Sequence, residues 1–163
     1  MALGTGGRSS EILNAKWKQV SFRRKTITYI MTKNKKDRTV PLDDGLVTVL
    51  KDYYDTHFSE YDELMVDTSE QYIFKSLLTG KPLVDIHRSW KKCAAMAGVP
   101  DLHRHDLRHV FCTKMVEKTG ADIAVLAELL GHSSLRMVMK YRHVGNHQYS
   151  GLVQQMAEAV FHR

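Results

Sequence analysis

Cysteine is scarce: Cys93 and Cys112 are the only two in 163 residues, and no CxxC-like spacing is present. This excludes a disulfide scaffold and a cysteine-built zinc ribbon. Both thiols are expected to be reduced and buried, because both stand in apolar surroundings. No run approaches the roughly 18 consecutive apolar residues of a membrane-spanning helix. The opening MALGTGGRSSEIL also lacks the charged start and apolar core of a secretion signal. The expectation is therefore a soluble protein of the cytoplasm with no membrane partner. Internal repeats and low-complexity segments are absent too, which excludes solenoids and arrays.

What is present suits one compact domain. Hydrophobic residues make up 43% of the chain, enough for a core without staples. Lys and Arg number 24 against 18 Asp and Glu, giving a net charge of +6, and nine histidines can add charge below neutral pH. A polyanionic partner fits this balance, although ordinary solubility charge would look the same.

Hydrophobic periodicity organises the chain. Ala2–Gly7 reads as loop, and Ser9–Trp17 has helical spacing with Ile12, Leu13 and Trp17 on one side. Three β-rich stretches follow, Val20–Phe22, Thr26–Thr32 and Arg38–Leu42. They are separated by the polar turns Arg23-Arg24-Lys25 and Asn34-Lys35-Lys36-Asp37, an antiparallel meander with a basic tip. Asp43 or Asp44 can cap a helix reaching about Tyr54, followed by an acidic loop from His57 to Gln71. Tyr72-Ile73-Phe74 reads as a short extended piece and Thr79–Pro82 as a turn. Helices are then predicted over Val84–Ala97, His105–Lys118, Asp122–Leu130, from Ser133 or Ser134 through Tyr141, and Leu152–Phe161. The fold class expected is α+β, mainly helical, with a small three-stranded antiparallel sheet at one side.

The densest chemistry lies in His103-Arg104-His105-Asp106-Leu107-Arg108-His109. His105 and Arg108 are three apart at a helix start, so they share a face and can grip one anion. Leu129-Leu130-Gly131-His132-Ser133-Ser134 puts a histidine just past a helix end, and Tyr141 follows on the next element. A phenol is ordinarily protonated at neutral pH, so a nucleophilic tyrosine needs proton removal and an electropositive pocket, which these residues can supply. His105 and His109 also have the i, i+4 spacing of a helical zinc pair, but neither a matching carboxylate nor HExxH accompanies them. No metal or cofactor is expected. Tyr53, Tyr54 and Tyr149 lack such context and read as structural.

HDLRH, LLGHSS and KYRHV resemble the His-x-x-Arg, LGH and nucleophilic-tyrosine motifs of the tyrosine recombinases of phage-integrase type. Upstream, Gly4-Thr5-Gly6-Gly7-Arg8-Ser9-Ser10-Glu11 is similar to that family's first-arginine box, and Met31–Pro41 resembles its β-hairpin lysine segment. These motifs stand in the family's order over nearly the whole chain. The resemblance implies a 1–163 catalytic domain whose full-length relatives carry a DNA-clamping core-binding domain, and further catalytic-domain helices, ahead of it.

It also implies a mechanism. Tyr141 attacks the scissile phosphate to form a 3′-phosphotyrosyl bond, and a second 5′-hydroxyl then resolves it, so strands exchange without ATP or metal. Arg8 and Arg108 match the two arginines that hold non-bridging oxygens, where planar, permanently charged forks suit the geometry. Lys33 matches the lysine that protonates the leaving 5′-oxygen, with Lys35 as its neighbouring competitor. His105 is placed for acid–base work and His132 for hydrogen bonding to the phosphate, while Glu11 orients its neighbours. Lys35, Lys36, Arg136, Lys140 and Arg142 are the candidate DNA-backbone contacts. Gly7 departs from the pattern, standing where the family often has a larger apolar residue.

The function implied is site-specific cutting and rejoining of DNA, with prophage or genomic-island integration and excision as the first choice and chromosome-dimer resolution as the second, on DNA in a bacterial host cell. The partners implied are double-stranded attachment sites, a homotetramer on paired sites, and accessory DNA-bending or directionality proteins. Two alternatives stay open: a type IB topoisomerase-like enzyme that relaxes supercoils, and a catalytically silent DNA-binding module of the same fold.

Overall fold

The computed structural model describes residues 1–30, 36–63, 67–76, 78–131, 134, 136 and 138–141. Two compact units divide the chain, Met1–Phe111 and Cys112–Arg163, and each is described by itself.

The first unit opens with α1, Ala2–Thr5, where the sequence suggested loop. Gly6 ends this turn at φ 60, its N–H donating to the Ala2 carbonyl, a conformation that costs glycine little. Arg8 is the N-cap of α2, Ser9–Leu13, and the Glu11 side chain reaches back to accept from the Arg8 N–H at 2.8 Å. The helix stops short of Trp17 because the backbone there is taken by a distant segment. Ile73 N donates to the Ala15 carbonyl at 2.9 Å, and Trp17 N donates to that of Gln71 at 3.1 Å. The extended reading of residues 72–74 is thereby explained: Tyr72 bridges to Lys16.

The meander is as expected, with β1 Val20–Ser21, β2 Thr26–Tyr29 and β3 Arg38–Pro41 in the order β1-β2-β3, antiparallel throughout. Ile27 pairs with Val40, and both are essentially fully buried. Burying each such side chain contributes about 1.5–3 kcal/mol. The strand alternation also turns Arg38 inward beside Val40, with Thr39 and Pro41 outward.

α3 runs from Asp44 to Glu63, well beyond the predicted end near Tyr54 and into the stretch read as acidic loop. The Asp43 carboxylate accepts from Leu46 N at its start. Its extra turns hold because Phe58 is buried edge-on against Trp17, with ring centroids 5.4 Å apart, and stacked on Tyr54 at 5.6 Å. Tyr53 and Tyr54 belong to this aromatic cluster, the structural role expected of them.

α4 covers His87–Met96, starting after Val84 because Asp85 accepts from His87 N at 2.7 Å and turns the chain there. Cys93 corrects a prediction: it is exposed, whereas Cys112 is buried. α4 buries Ala94, and Cys93, the position before it, is rotated about 100° from it around the helix and faces water.

α5, Arg104–Thr119, spans the division between the units. Asp106 accepts from His103 N at 2.7 Å and so fixes where the helix begins. In the second unit Gly120 at φ 64 ends α5, Asp122 caps α6, Ile123–Leu129, by accepting from Ala124 N, and Gly131 at φ 62 follows. Cys112, Val116, Leu126, Leu130, Val138 and Tyr141 are its buried residues of note. Residues 139–141 form a tight 3-10 turn rather than the predicted helix, and Tyr141 N donates to the Val138 carbonyl at 2.9 Å. The predicted helix Leu152–Phe161 lies outside the described residues.

Candidate active site

The first unit gathers its charged groups around one carboxylate. Glu11 Oε1 accepts from Arg8 Nη1 at 2.7 Å. Its Oε2 accepts both the Arg8 backbone N–H and, at 2.6 Å, Arg38 Nη2. The Glu11 and Arg38 side chains are only 6% and 7% exposed, so the Glu11–Arg38 pair of this Arg–Glu–Arg trio is almost fully enclosed. Burial pushes the Glu11 carboxyl up, but the hydrogen bonds from Arg38 and Arg8 and the Arg38 charge outweigh it, holding the group below the usual carboxylate value.

The floor of the trio is Tyr29. The Arg38 guanidinium lies 4.8 Å from its ring centroid, and its hydroxyl shares a 2.8 Å hydrogen bond with Thr5 Oγ1. Burial pushes the Tyr29 phenol up to about 12, which keeps it protonated at neutral pH. Gly7 N donates to the same threonine oxygen at 3.1 Å. The glycine at position 7 now has a reason: a Cβ there would stand 2.7 Å from the Tyr29 hydroxyl and 2.9 Å from Ile12.

Arg108, 4% exposed, reaches back from α5 to donate from Nη1 to the Gly6 carbonyl oxygen. The two arginines singled out in the sequence, 100 positions apart, thus meet the same Gly6–Arg8 strip, one by covalent continuity and one by hydrogen bond. His105 is exposed in the first turn of α5. It lines a cavity of about 340 Å3 together with Ser9, His87, Lys91, His103 and Arg104, so it too borders the arginine box. Its ring meets that of His109 edge-on at 4.7 Å, a packing contact. Among the described residues no cluster of three or more metal-ligating side chains occurs. A second cavity, about 670 Å3, opens beside Arg8 and includes Lys16 and Lys18. Both hollows are lined by more cations than anions, which suits a phosphodiester backbone.

Tyr141 belongs to the second unit, 7% exposed, with Lys140 Nζ 5.1 Å from its ring centroid. Lys36 and Lys140 are exposed, and so is Arg136, whose N–H donates to Ser134 Oγ. Lys33, Lys35, His132 and Arg142 lie outside the described residues.

Sequence reasoning passed over Arg38 and Tyr29. A signal for Arg38 existed: a charged residue at an inward position of a two-residue alternation needs a buried partner. Nothing local named that partner as Glu11.

The Phage integrase family pattern matches residues 1–148, and the chain belongs to this family. The tyrosine recombinase XerA of Pyrococcus furiosus is 34% identical over 141 residues, 86% of this chain and 47% of that protein. The integrase of Salmonella phage P22 is 32% identical over 149 residues, 90% of this chain and 38% of that protein. The crystal structure of the XerH site-specific recombinase bound to a palindromic difH substrate, a post-cleavage complex, matches with a TM-score of 0.69 at 25% identity. That match covers 99% of this chain and 44% of the XerH chain. The chain therefore spans about half the length, or less, of the curated relatives it matches. Among the described residues no helix is long and apolar enough to cross a membrane.

Proposed function

We propose that this chain carries the chemistry of a site-specific recombinase, breaking and rejoining DNA through a 3′-phosphotyrosyl intermediate. The Tyr141 hydroxyl oxygen attacks phosphorus, the P–O3′ bond is kept, and the P–O5′ bond breaks. Lys33 gives its proton to the departing 5′-oxygen, and the tyrosine proton passes to His105. A second 5′-hydroxyl then attacks phosphorus, giving its proton to the neutral Lys33, and expels the tyrosine oxygen, which takes its proton back from His105, so bond energy is conserved. Arg8 and Arg108 carry the negative charge that builds on the non-bridging oxygens, and His132 adds a hydrogen bond there.

The observation that supports this reading most is the buried guanidinium system around Glu11, with Arg108 bonded to the strip that Arg8 continues. Two arginines kept in fixed geometry on rigid elements are what a phosphoryl transition state needs. Lys35, Lys36, Arg136, Lys140 and Arg142 contact the flanking backbone. The role we assign is integration and excision of a prophage or genomic island, with paired double-stranded attachment sites, a homotetramer, and accessory DNA-bending or directionality proteins. The working place is the cytoplasm.

Covalent trapping tests the chemistry. The protein is incubated in EDTA with nicked fragments of phage and host DNA and run on a denaturing gel beside Tyr141→Phe. An adduct in the parent that vanishes in the variant supports metal-free tyrosyl transfer, and sequencing the trapped DNA identifies the site. Confirmed DNA binding without any adduct would leave a silent binding module. Relaxation of supercoiled plasmid by monomers, without recombination of paired sites, would favour the topoisomerase-like alternative.

A further inference from the structure

We infer that Arg38 is a positioning residue for phosphate binding, and that its task is to offset the Glu11 charge so that Arg8 keeps a net positive field. The inference rests on the phosphoryl-transfer reading above and deepens it.

Arg8 alone with Glu11 would be a closed ion pair. Its guanidinium touches the carboxylate at 2.7 Å, and a phosphate approaching Arg8 would feel attraction and repulsion of similar size. Glu11 also fixes Arg8 twice, through the side chain and through the backbone N–H at the start of α2, and a glutamine oxygen could keep one of these two bonds. A second guanidinium resolves the conflict. With Arg38 Nη2 on Glu11 Oε2 at 2.6 Å, two cations share one anion and the trio carries one surplus positive charge.

Burial makes this count. Glu11 and Arg38 are shielded from water, so salt and solvent do little to screen their mutual interaction. Arg8 is the more open member at 19% exposure, and the surplus is therefore presented on the side where an anion can approach. Arg38 does not compete for that anion. It is held in β3 opposite Tyr29 in the strand register, and its guanidinium lies over the Tyr29 ring.

Charge and packing make opposite predictions for a paired substitution. Arg38→Met removes the offsetting charge and keeps much of the apolar stem, while Arg38→Lys keeps the charge and loses the fork. Adding Glu11→Gln to Arg38→Met removes the anion that needed offsetting, and replacing a buried ion pair by a neutral one is often tolerated in folding. A packing role would make the double variant worse than Arg38→Met, and a charge role makes it better.

The assay is single-turnover cleavage of a nicked duplex carrying the site recovered by trapping, with DNA affinity and thermal melting measured alongside. The expected result is that Arg38→Met slows cleavage about 10- to 100-fold with little loss of DNA affinity. Arg38→Lys should stay within about tenfold of the parent, and Glu11→Gln/Arg38→Met should recover at least about tenfold over Arg38→Met. If Arg38→Met does not fold, the double variant is compared with Arg38→Lys, and cleavage within about tenfold of it supports the inference. A folded double variant no faster than Arg38→Met, or some hundredfold slower than Arg38→Lys, overturns it, as does Arg38→Met cleaving like the parent. A parent that forms no Tyr141 adduct would overturn the functional reading itself and this inference with it. An adduct-forming parent with an indifferent Arg38 overturns the inference alone.

Discussion

Replacing Gly7 by alanine is a one-carbon change with a calculable cost. The added Cβ would stand 2.7 Å from the Tyr29 hydroxyl oxygen and 2.9 Å from Ile12 Cγ1, closer than real Cβ atoms approach, and 3.0 Å from Tyr29 Cζ, tighter than most real contacts. The tyrosine cannot swing clear. It is 1% exposed, bonded to Thr5 and covered by the Arg38 guanidinium. Overpacking of this kind costs about 1–3 kcal/mol, and disturbing the Tyr29–Thr5 hydrogen bond adds about 1 kcal/mol. Together, about 3 kcal/mol corresponds to a fall in Tm of roughly 10 °C for a chain of this size. Both tryptophans, Trp17 and Trp90, lie within Met1–Phe111, so a fluorescence-detected melt reports the unit that contains Gly7. Tyr29→Phe removes the nearest clashing atom, and Gly7→Ala should therefore cost less in that background than in the parent. A Gly7→Ala protein melting within about 2 °C of the parent, or an equal cost in both backgrounds, would refute the steric account.

Stability should respond to pH at both ends. Tyr29 is raised to about 12 in the folded protein from the ordinary 10, so the unfolded chain loses the proton first, and stability is complete below pH 10 and lost as pH rises toward 12. Chemical denaturation across that range should show a decline of up to about 3 kcal/mol that flattens in Tyr29→Phe. Glu11 is depressed, so its contribution is present above the ordinary value of 4.5 and fades as pH falls below it through the lower folded value. Glu11→Gln should be less acid-sensitive than the parent. Phe58→Ala empties a fully buried site in the aromatic cluster and should cost about 3–5 kcal/mol, with lost helicity at the end of α3 visible by circular dichroism. An unchanged α3 in that variant would show that something other than Phe58 holds its last turns.

The sequence by itself determined what depends on near neighbours. The meander follows from β-formers alternating between polar turns, and the helix ends follow from Gly98, Gly120 and Gly131, which adopt φ of 74, 64 and 62. Asp122 and Asp106 cap helices through bonds that span two or three residues, and such bonds can be read from spacing alone. The order of the motifs singled out Arg8, His105, Arg108 and Tyr141 as candidate site residues, because side-chain chemistry is written in the residue type.

Only the tertiary structure decided how those residues are held. Arg38 and Glu11 are 27 positions apart, and Arg108 and Gly6 are 102 apart, distances at which no periodicity carries information. α3 outran its predicted end because Phe58 found Trp17, and α2 fell short of its own because Ala15 and Trp17 bonded instead to residues beyond position 70. In each case a contact made by the chain returning on itself outweighed local propensity, which amounts to only a few tenths of a kcal/mol per residue for ordinary side chains. Cys93 shows the reverse limit: its apolar neighbours in sequence suggested burial, but the rotation of α4 set it one step off the buried face.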